Sequence, residues 1–193
     1  MIYFLGCPHI GHINITGESI SQWESGYRDF NSVEEMNNAI FSSINSTVKQ
    51  DDDFYLLGDF AFGDRKRIPE YVSRINCKNI YFIKGNHDHG IEKYSDCFVW
   101  IKDYYEFYYN KTLFCLFHFP IAVWNGSHKG SINICSHSHG SFYPSRPESN
   151  NGKLLDVGWD VFRKPVSIEE VLDIMSTKKI AFLDHHDKNT NVR

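Results

Sequence analysis

The sequence predicts an α/β domain with mixed sheets, and two observations support this prediction. In the first half of the chain, short apolar runs of strand length alternate with segments of helical periodicity. In the second half, several strand-like runs follow one another before a last helix. A chain of 193 residues is long enough to bury a full core without disulfides. We expect one domain over residues 1–183, followed by a polar tail at 184–193.

Three buried strands and two helices are predicted in the first half. Ser32 and Glu35 have the spacing of a capping box, and apolar residues recur at helical intervals after it. Pro69 suits the first turn of a short helix. In chain order the predicted elements are a strand at Ile2–Leu5, a helix from Ser32 to Val48, a strand at Phe54–Leu57, a helix from Pro69 to Ile75 and a strand at Ile80–Ile83.

The middle of the chain is predicted to be rich in strands. Asn110 and Lys111 mark the second turn of a three-stranded meander. Two shorter strands follow it, and a second capping box, at Ser167 and Glu170, begins the last helix. The predicted elements are strands at Phe98–Ile101, Tyr104–Tyr109, Thr112–Phe117, Ile132–Cys135 and Leu154–Val157, and a helix from Ser167 to Ser176.

The composition argues against several classes of protein. Lys and Arg total 20 against 24 Asp and Glu, so the formal net charge is −4, which disfavours a protein that grips long duplex nucleic acid. No apolar run approaches the ~20 residues of a membrane helix, and the first residues do not resemble a signal peptide. The five cysteines lack short spacing and are expected to be reduced, which favours the cytoplasm. The sequence does not indicate the oligomeric state.

Polar residues that can bind metals follow five of the predicted strands. Because loops at the carboxyl ends of strands converge in open α/β sheets, we expect these clusters to meet in space. The spacing of His137 and His139 directs both side chains to one face of an extended segment. Taken singly, each cluster also has a structural interpretation, as a buried histidine, a strand-ending turn or a solvated loop. The clusters are Cys7 with His9 and His12, Gly58-Asp59, Gly85-Asn86-His87-Asp88, His118, and Ser136-His137-Ser138-His139.

The residue types in these clusters fit a centre of two divalent cations. Histidine supplies nitrogen, aspartate supplies a carboxylate that can bridge, and asparagine supplies a neutral oxygen. Two cations about 3.5–4 Å apart activate a water molecule and hold a phosphoryl oxygen. A small phosphorylated substrate is therefore compatible with the negative net charge, because the cations supply the positive charge.

These motifs, in this order, resemble those of the calcineurin-like metallophosphoesterase superfamily. The family pattern reads Asp-x-His, Gly-Asp, Gly-Asn-His-Asp, a lone His after a strand, and Gly-His-x-His. The resemblance covers about residues 1–165, and its most specific parts are residues 58–63 and 85–88. The chain is most similar to the small bacterial and phage phosphoesterases. The resemblance implies a four-layer α/β/β/α sandwich, with two mixed β-sheets flanked by helices.

The resemblance also implies a role for each matching residue. Asp59 would bridge two cations, and a metal-held hydroxide would attack phosphorus. His87 would protonate the leaving oxygen, with Asp88 orienting its imidazole. The first cation would be bound by Cys7, His9, Asp59 and His139. The second would be bound by Asp59, Asn86, His118 and His137.

Two positions depart from the family pattern. Cys7 stands where the family has its first Asp, and Ser136 replaces the glycine before the paired histidines. A carboxylate suits Mn or Mg and a thiolate suits Zn or Fe, so the cations stay open among Mn, Fe and Zn. Cys7 is either a ligand with a lowered pKa or a small buried residue that leaves the first cation weakly held, whether the change is natural or introduced.

We expect a metal-dependent hydrolase of a small phosphodiester or phosphomonoester. A nucleotide-derived diester is favoured, because His87 can assist a poor alkoxide leaving group. His12, Arg28 and His128 are candidate substrate contacts, each with an ordinary structural alternative. Two other functions remain open. One is a nuclease on DNA or RNA, although the sequence lacks a clustered basic stripe, and the other is a metal- or ligand-binding protein that has lost turnover through Cys7.

Overall fold

A computed structural model describes residues 1–19 and 27–183, and the predicted tail at 184–193 lies outside the described residues. No helix in the described part of the chain is long and apolar enough to cross a membrane. The strands are β1 (Ile2–Leu5), β2 (Asp53–Leu57), β3 (Asn79–Ile83), β4 (Trp100–Lys102), β5 (Tyr104–Tyr109), β6 (Thr112–Phe117), β7 (Ile132–Cys135), β8 (Leu154–Asp156) and β9 (Val166–Ser167). The helices are α1 (Val33–Thr47), α2 (Ile68–Ser73), α3 (Trp159–Phe162) and α4 (Ile168–Thr177).

The first sheet has five strands in the order β4-β3-β2-β1-β9. The strands β1 to β4 are parallel, and β9 pairs with β1 in the antiparallel direction. In the register of the parallel strands, Tyr55 of β2 lies between Phe4 and Tyr81. Helices α1 and α2 provide the long connections that neighbouring parallel strands require.

The second sheet has four strands in the order β5-β6-β7-β8. The first two form an antiparallel hairpin, whose turn residues Asn110 and Lys111 both have positive φ, 47° and 67°. This is the geometry of a hairpin turn that matches the natural twist of its strands. The strands β6, β7 and β8 run parallel to one another. Both sheets are therefore mixed.

The first sheet is buried on both faces. Phe54 and Leu56 pack with the buried faces of α1 and α2, whereas Tyr55 and Leu57 pack in the cluster between the two sheets. This alternation follows from the two-residue period of a strand. Helix α4 adds three buried residues to the cluster between the sheets. The molecule is an α/β sandwich of two mixed sheets with helices, which confirms the predicted fold class.

One strand of the predicted meander belongs to the other sheet. The run predicted at Phe98–Ile101 pairs, as β4, in parallel with β3, so that Trp100 lies opposite Tyr81. The chain then crosses to the second sheet at Asp103. The ring of Trp100 contacts both sheets. Its centroid lies 5.2 Å from that of Tyr81 in the first sheet and 4.7 Å from that of Tyr105 in the second. The apolar run was compatible with either sheet, and the backbone pairing of β4 with β3 assigns it to the first.

The two predicted capping boxes differ in the structure. At α4 both bonds are present, because Ser167 accepts from the N–H of Glu170 and the Glu170 carboxylate accepts from the N–H of Ser167. At α1 Ser32 accepts from the N–H of Glu35, but the Glu35 carboxylate accepts from Asn31 instead. The short elements α3 and β9 are not predicted from the sequence.

Several strands end at one edge of the sandwich, and their loops are hydrogen-bonded to one another there. The N–H of Cys7, after β1, donates to the carbonyl of Gly58, after β2, at 3.0 Å. In the second sheet, the N–H of Ser136, after β7, donates to the carbonyl of His118, after β6, also at 3.0 Å. The N–H of Gly6 joins the two sheets by donating to Val157 at 3.0 Å. These bonds bring four of the five predicted polar clusters together, and the carboxylate of Asp88 links the fifth, after β3, to the N–H of Asp59.

Candidate metal centre

Four of the predicted ligands are held in left-handed backbone conformations. The φ angles of Cys7, His9, Asp59 and His139 are 49°, 52°, 53° and 49°. An L-residue in this region costs about 1–2 kcal/mol, so it persists only where neighbouring structure enforces it. One such constraint is the bond from the N–H of His9 to the carbonyl of Asp59, 3.1 Å long. Backbone strain is thus concentrated in the loops that carry the ligands.

Two glycines let the loops after β2 and β3 approach each other. A Cβ atom on Gly85 would lie 2.2 Å from Oδ1 of Asp59. A Cβ atom on Gly58, whose φ is +82°, would lie 2.6 Å from Nδ1 of His118. Neither position has room for a side chain, so both glycines are needed to seat Asp59 between the loops.

The imidazole of His118 is the centre of one group of ligands. Its Nδ1 lies 2.8 Å from the carbonyl of Leu57, which assigns the hydrogen to Nδ1 and leaves a lone pair on Nε2. Around Nε2 lie Oδ1 of Asn86 at 3.1 Å, Nδ1 of His137 at 3.2 Å and Oδ2 of Asp59 at 3.5 Å. Nε2 of His118 and the oxygens of Asn86 and Asp59 are all acceptors with no hydrogen to share among them. A cation placed between them would interact favourably with all three.

The charge of Asp59 dominates the electrostatics of this group. Burial alone would lower the pKa of His118, but the hydrogen bond and charge of Asp59 more than offset it and raise that pKa. Burial opposes the charge of Asp59 as well, yet His118 and the N–H of His87 keep the pKa of this carboxyl below its usual range. A carboxylate that stays ionised in a buried site attracts a proton or, equally, a metal cation.

His9 and His139 form the second group of ligands. Their Nε2 atoms are 3.2 Å apart, and the ring planes stack with centroids 4.9 Å apart. Nδ1 of His139 lies 2.7 Å from a carboxylate oxygen of Asp160, so its Nε2 has the lone pair. Burial, with nearby positive groups, holds the pKa of His9 well below its usual range, which keeps the ring neutral. Its Nδ1 is buried without a hydrogen-bond partner among the residues that the structure describes.

Cys7 belongs to both groups. The ligand atoms of Cys7, His9 and His139 all lie within 4.8 Å of one another, and so do those of Cys7, Asp59 and His118. The buried thiol donates to the carbonyl of Ser136 at 3.4 Å. Burial raises its pKa well above the usual range, and the charge of Asp59 adds to this, so the thiol keeps its hydrogen unless a cation displaces it. A thiol, two imidazoles and a carboxylate form a donor set that fits Zn or Fe.

Asp88 has a different position from the one that the resemblance implies. Its buried carboxylate accepts three backbone N–H groups, from Asp59 at 2.6 Å, Gly85 at 2.7 Å and Phe60 at 3.1 Å. Through these bonds the carboxylate ties the loop after β2 to the loop after β3. Asp88 therefore fixes the backbone of Asp59 and does not orient the imidazole of His87.

Arg28 also differs from its predicted role as a substrate contact. Its side chain is fully buried, and its guanidinium donates twice to the carboxylate of Asp160, each time at 2.9 Å. The same guanidinium donates to the carbonyls of Pro8 at 2.6 Å and Cys7 at 2.7 Å. These bonds place Arg28 behind the ligands, where no donor is left to face a substrate. It supports the loop after β1 and holds Asp160 against His139.

Asp160 links Arg28 to the candidate ligand His139. Burial alone would raise the pKa of its carboxyl, but His139 and Arg28 lower it to about 2, so it stays ionised. A carboxylate in this position fixes the tautomer of a ligating imidazole and raises its basicity. We expect Asp160→Asn to weaken metal binding by about 10–100-fold.

Titration of the metal-free variant with Zn²⁺ in competition with a chelator measures this effect. The matched control is Asp173→Asn, which removes an exposed carboxylate from α4 far from the centre. An unchanged affinity for Zn²⁺ in Asp160→Asn, with the fold intact by circular dichroism, would show that the bond to His139 does not tune the site.

Phe62 forms a floor beneath three histidines of the site. Its ring centroid lies 3.8 Å from that of His12, 4.6 Å from that of His87 and 4.9 Å from that of His9. His87 is exposed, whereas His12 is partly buried. Burial is the main cause that lowers the pKa of His12 to about 4. The structure therefore places His12 and His87 against one ring beside the ligand groups, with His87 the more exposed of the two.

The structure separates His128 from this site. His128 lies in a short 3-10 helix, in a cavity lined also by Lys111 and Thr112 at the beginning of β6. The ligand His118 follows the other end of that strand. Ser136, in contrast, supports the site directly, because its hydroxyl donates to the carbonyl of Leu57 at 2.5 Å and lies 3.2 Å from Nδ1 of His118.

Sequence reasoning misses two buried carboxylates, Asp156 at the end of the last strand of the second sheet and Asp160 after it. Asp160 lies behind His139, and Asp156 accepts from Ser138 at 2.7 Å and from the N–H groups of Gly140 and Gly158 at 2.9 and 2.8 Å. A signal for Asp160 was present, since it follows the apolar run of β8 as the other polar clusters follow their strands, whereas Asp156 lies within the predicted strand. Asp160 contacts the candidate ligand His139 directly, and Asp156 holds the backbone of the loop that carries it.

Comparison with known proteins agrees with this geometry. The family described as calcineurin-like phosphoesterase matches residues 1–192. A similar solved structure is the crystal structure of a protein of unknown function from Aquifex aeolicus, which is 20% identical with a TM-score of 0.66. That similarity covers 90% of this chain and 98% of the other, and it shows a common fold alone. No curated protein matches the chain. Because the family match extends over almost every residue, the chain belongs to the calcineurin-like phosphoesterases.

Proposed function

We propose that this protein is a hydrolase that uses two divalent cations to cleave a small phosphodiester or phosphomonoester. Membership of the family supports metal-dependent phosphoester hydrolysis. The observation that carries the two-cation proposal is the position of Cys7, whose sulfur is within 4.8 Å of ligand atoms in two distinct groups. Two adjacent groups that share a ligand are the arrangement that a pair of close cations requires.

The residues of the chain divide the work of the reaction. When bound, the cations would polarise the phosphoryl group and activate a water molecule as the nucleophile. His9 and His139 hold one side of the centre, and Asn86, His118 and His137 hold the other. Asp59 belongs to the His118 group, where its Oδ1 accepts from the N–H of His87 at 2.9 Å, and it would be the carboxylate that the two sides share.

His87 is the proposed proton donor to the leaving group. Its backbone is fixed by the bond to Asp59, while its imidazole is exposed on the open side of the centre, against Phe62. A positioned imidazole that supplies a proton in the transition state accelerates such reactions by about 10²–10⁴-fold. This assistance matters most for alkoxide leaving groups, which supports the preference for a natural diester.

The test begins with the protein as purified. Elemental analysis of bound metals is followed by assays of the same sample on bis-p-nitrophenyl phosphate and p-nitrophenyl phosphate with Mn²⁺, Zn²⁺, Fe²⁺ and Mg²⁺. We expect close to two bound cations per chain and hydrolysis of at least one ester, because each group offers at least three candidate ligand atoms close together. A chelator should abolish the activity, and the metal that supports it best should restore it.

Other outcomes identify the rival functions. Stoichiometric metal without turnover of either ester would indicate a binding protein in which Cys7 has removed catalysis. Faster cleavage of RNA or DNA, falling steeply as salt rises, would indicate a nuclease. A protein that binds no metal would overturn the proposal.

A further inference from the structure

A cleft beside the His118 group is walled on one side by aromatic rings. It has a volume of about 520 Å³, and it is lined by Asn86 on the side of β3 and by Phe117 and Phe119 on the side of β6. Because Asn86 is both a candidate ligand and part of the wall, a phosphoester held at the metal centre has its organic group within reach of this cleft.

The two rings on that wall continue into a third ring, Tyr104, which lies next to the cleft lining; we call the row of Tyr104, Phe117 and Phe119 the aromatic shelf. The ring centroid of Phe119 lies 4.5 Å from that of the candidate ligand His137 and 5.7 Å from that of Phe117. The centroid of Phe117 lies 6.2 Å from that of Tyr104. The aromatic shelf thus leads from the metal ligands outward along the cleft.

Packing of the core does not account for the aromatic shelf. None of its three residues belongs to the two hydrophobic clusters formed by the described residues, and all three rings remain partly exposed. Phe117 and Phe119 flank His118, so the two-residue period of extended chain turns them away from the buried side that receives His118. Partly exposed rings beside a polar centre provide a surface on which a flat ring can stack.

The rest of the lining forms a polar wall, which carries a net negative charge. Lys84 forms ion pairs with Glu92 at 3.0 Å and Asp103 at 2.9 Å, which leaves two carboxylates against one ammonium group. This charge repels a chain of successive phosphates and so disfavours a polynucleotide. Carboxylates in this position can accept hydrogen bonds from the amino group of a base.

We propose that the organic group of the substrate is a nucleobase, which stacks on Phe119 and Phe117 while the phosphate is held at the metal centre. This inference rests on the proposed function and adds the substrate class, a nucleoside phosphate ester of mononucleotide size. Stacking recognises any base, because every base has a π face, and the polar wall selects those that carry an amino group.

Adenosine and ribose are the probes that test this inference, because they differ in the base and lack phosphate. Binding is measured by saturation-transfer difference NMR on the protein with Zn²⁺ added, and also by inhibition of bis-p-nitrophenyl phosphate hydrolysis. We expect adenosine to bind and inhibit competitively, and ribose to do neither. Phe119→Leu should weaken adenosine binding by between about fivefold and 150-fold, whereas Phe119→Trp should retain it.

Two controls keep the result specific to the cleft. Tyr108→Leu removes a ring that is 73% exposed at the other end of the same hairpin, and it should leave adenosine binding unchanged. Phe117→Leu removes the ring next to Phe119 on the cleft wall. If Phe119→Leu loses bound metal, the effect of Phe117→Leu on adenosine binding tests the aromatic shelf instead. Metal content is measured in every variant.

The outcomes separate this inference from the proposed function. Equal binding of adenosine and ribose, or unchanged adenosine binding in both leucine variants, would overturn the inference even in a protein that hydrolyses phosphoesters. Adenosine binding that depends on Phe119, in a protein without hydrolytic activity, would support the nucleobase cleft and contradict the proposed function.

Discussion

Replacing Asp59 by Asn is expected to lower phosphoester hydrolysis on the order of 10³-fold and to reduce the bound metal in both ligand groups. Asp59 is 2% exposed, its Oδ2 lies 3.5 Å from Nε2 of His118, and in the proposed function it is the carboxylate that both cations share. Asn has nearly the same shape, so the bond from the N–H of His87 can persist while the negative charge is lost. Hydrolysis of bis-p-nitrophenyl phosphate and elemental analysis of the same preparation measure the two effects.

The control for this substitution is Asp173→Asn, which removes a carboxylate of equal charge from the exposed face of α4. It should retain both activity and metal. Turnover close to normal in Asp59→Asn, with two cations still bound, would refute a bridging role for this carboxylate and with it the two-cation proposal.

Replacing Cys7 by Asp is expected to change the metal preference of the centre from Zn²⁺ towards Mn²⁺ by about tenfold or more. The sulfur of Cys7 is near both ligand groups, and a thiolate prefers Zn or Fe whereas a carboxylate prefers Mn. The backbone of position 7 has a φ of 49°, which Asp tolerates better than most residues. The ratio of affinities for the two metals, and the rate of hydrolysis with each, report the change.

Two further variants show whether the sulfur itself is responsible. Cys7→Ala removes a ligand without supplying another and should lower the affinity for Zn²⁺. Cys77→Ala removes a buried thiol from the chain segment before β3, outside the site, and should change neither value. If neither substitution of Cys7 alters metal content, preference or rate, then Cys7 is only a buried residue and the centre does not depend on it.

Much of the site could be predicted because its ligands follow apolar strands. A strand of buried residues is visible as an uninterrupted run, and the polar residue after it must lie at the carboxyl edge of its sheet. Asp59 after β2 and His118 after β6 are examples, and the structure places their side chains 3.5 Å apart although 58 residues separate them in sequence. The individual roles of the ligands stay predictions until metal is measured.

The supporting residues could not be predicted in the same way. Asp88 and Arg28 are polar residues in loops, and a local pattern does not distinguish one that faces a substrate from one that is buried against backbone. The partners of Asp88 are N–H groups of Asp59 and Phe60, which any sequence would supply, and the partner of Arg28 is 132 residues away. The sheet to which β4 belongs was ambiguous for a similar reason, since its apolar run fits either sheet.

The left-handed residues of the ligand loops limit how this centre can change. Among non-glycine residues, Asn, Asp and His enter that backbone region most readily, and His9, Asp59 and His139 are of these types. Position 7 is the exception, because Cys has no such conformational advantage there. In a saturation library, folded protein should be recovered more often with Gly, Asn or Asp at these four positions than with Val or Ile, even in metal-free medium. The backbone conformation would thus limit which residue types can occupy the ligand positions, whichever metal ion the centre prefers.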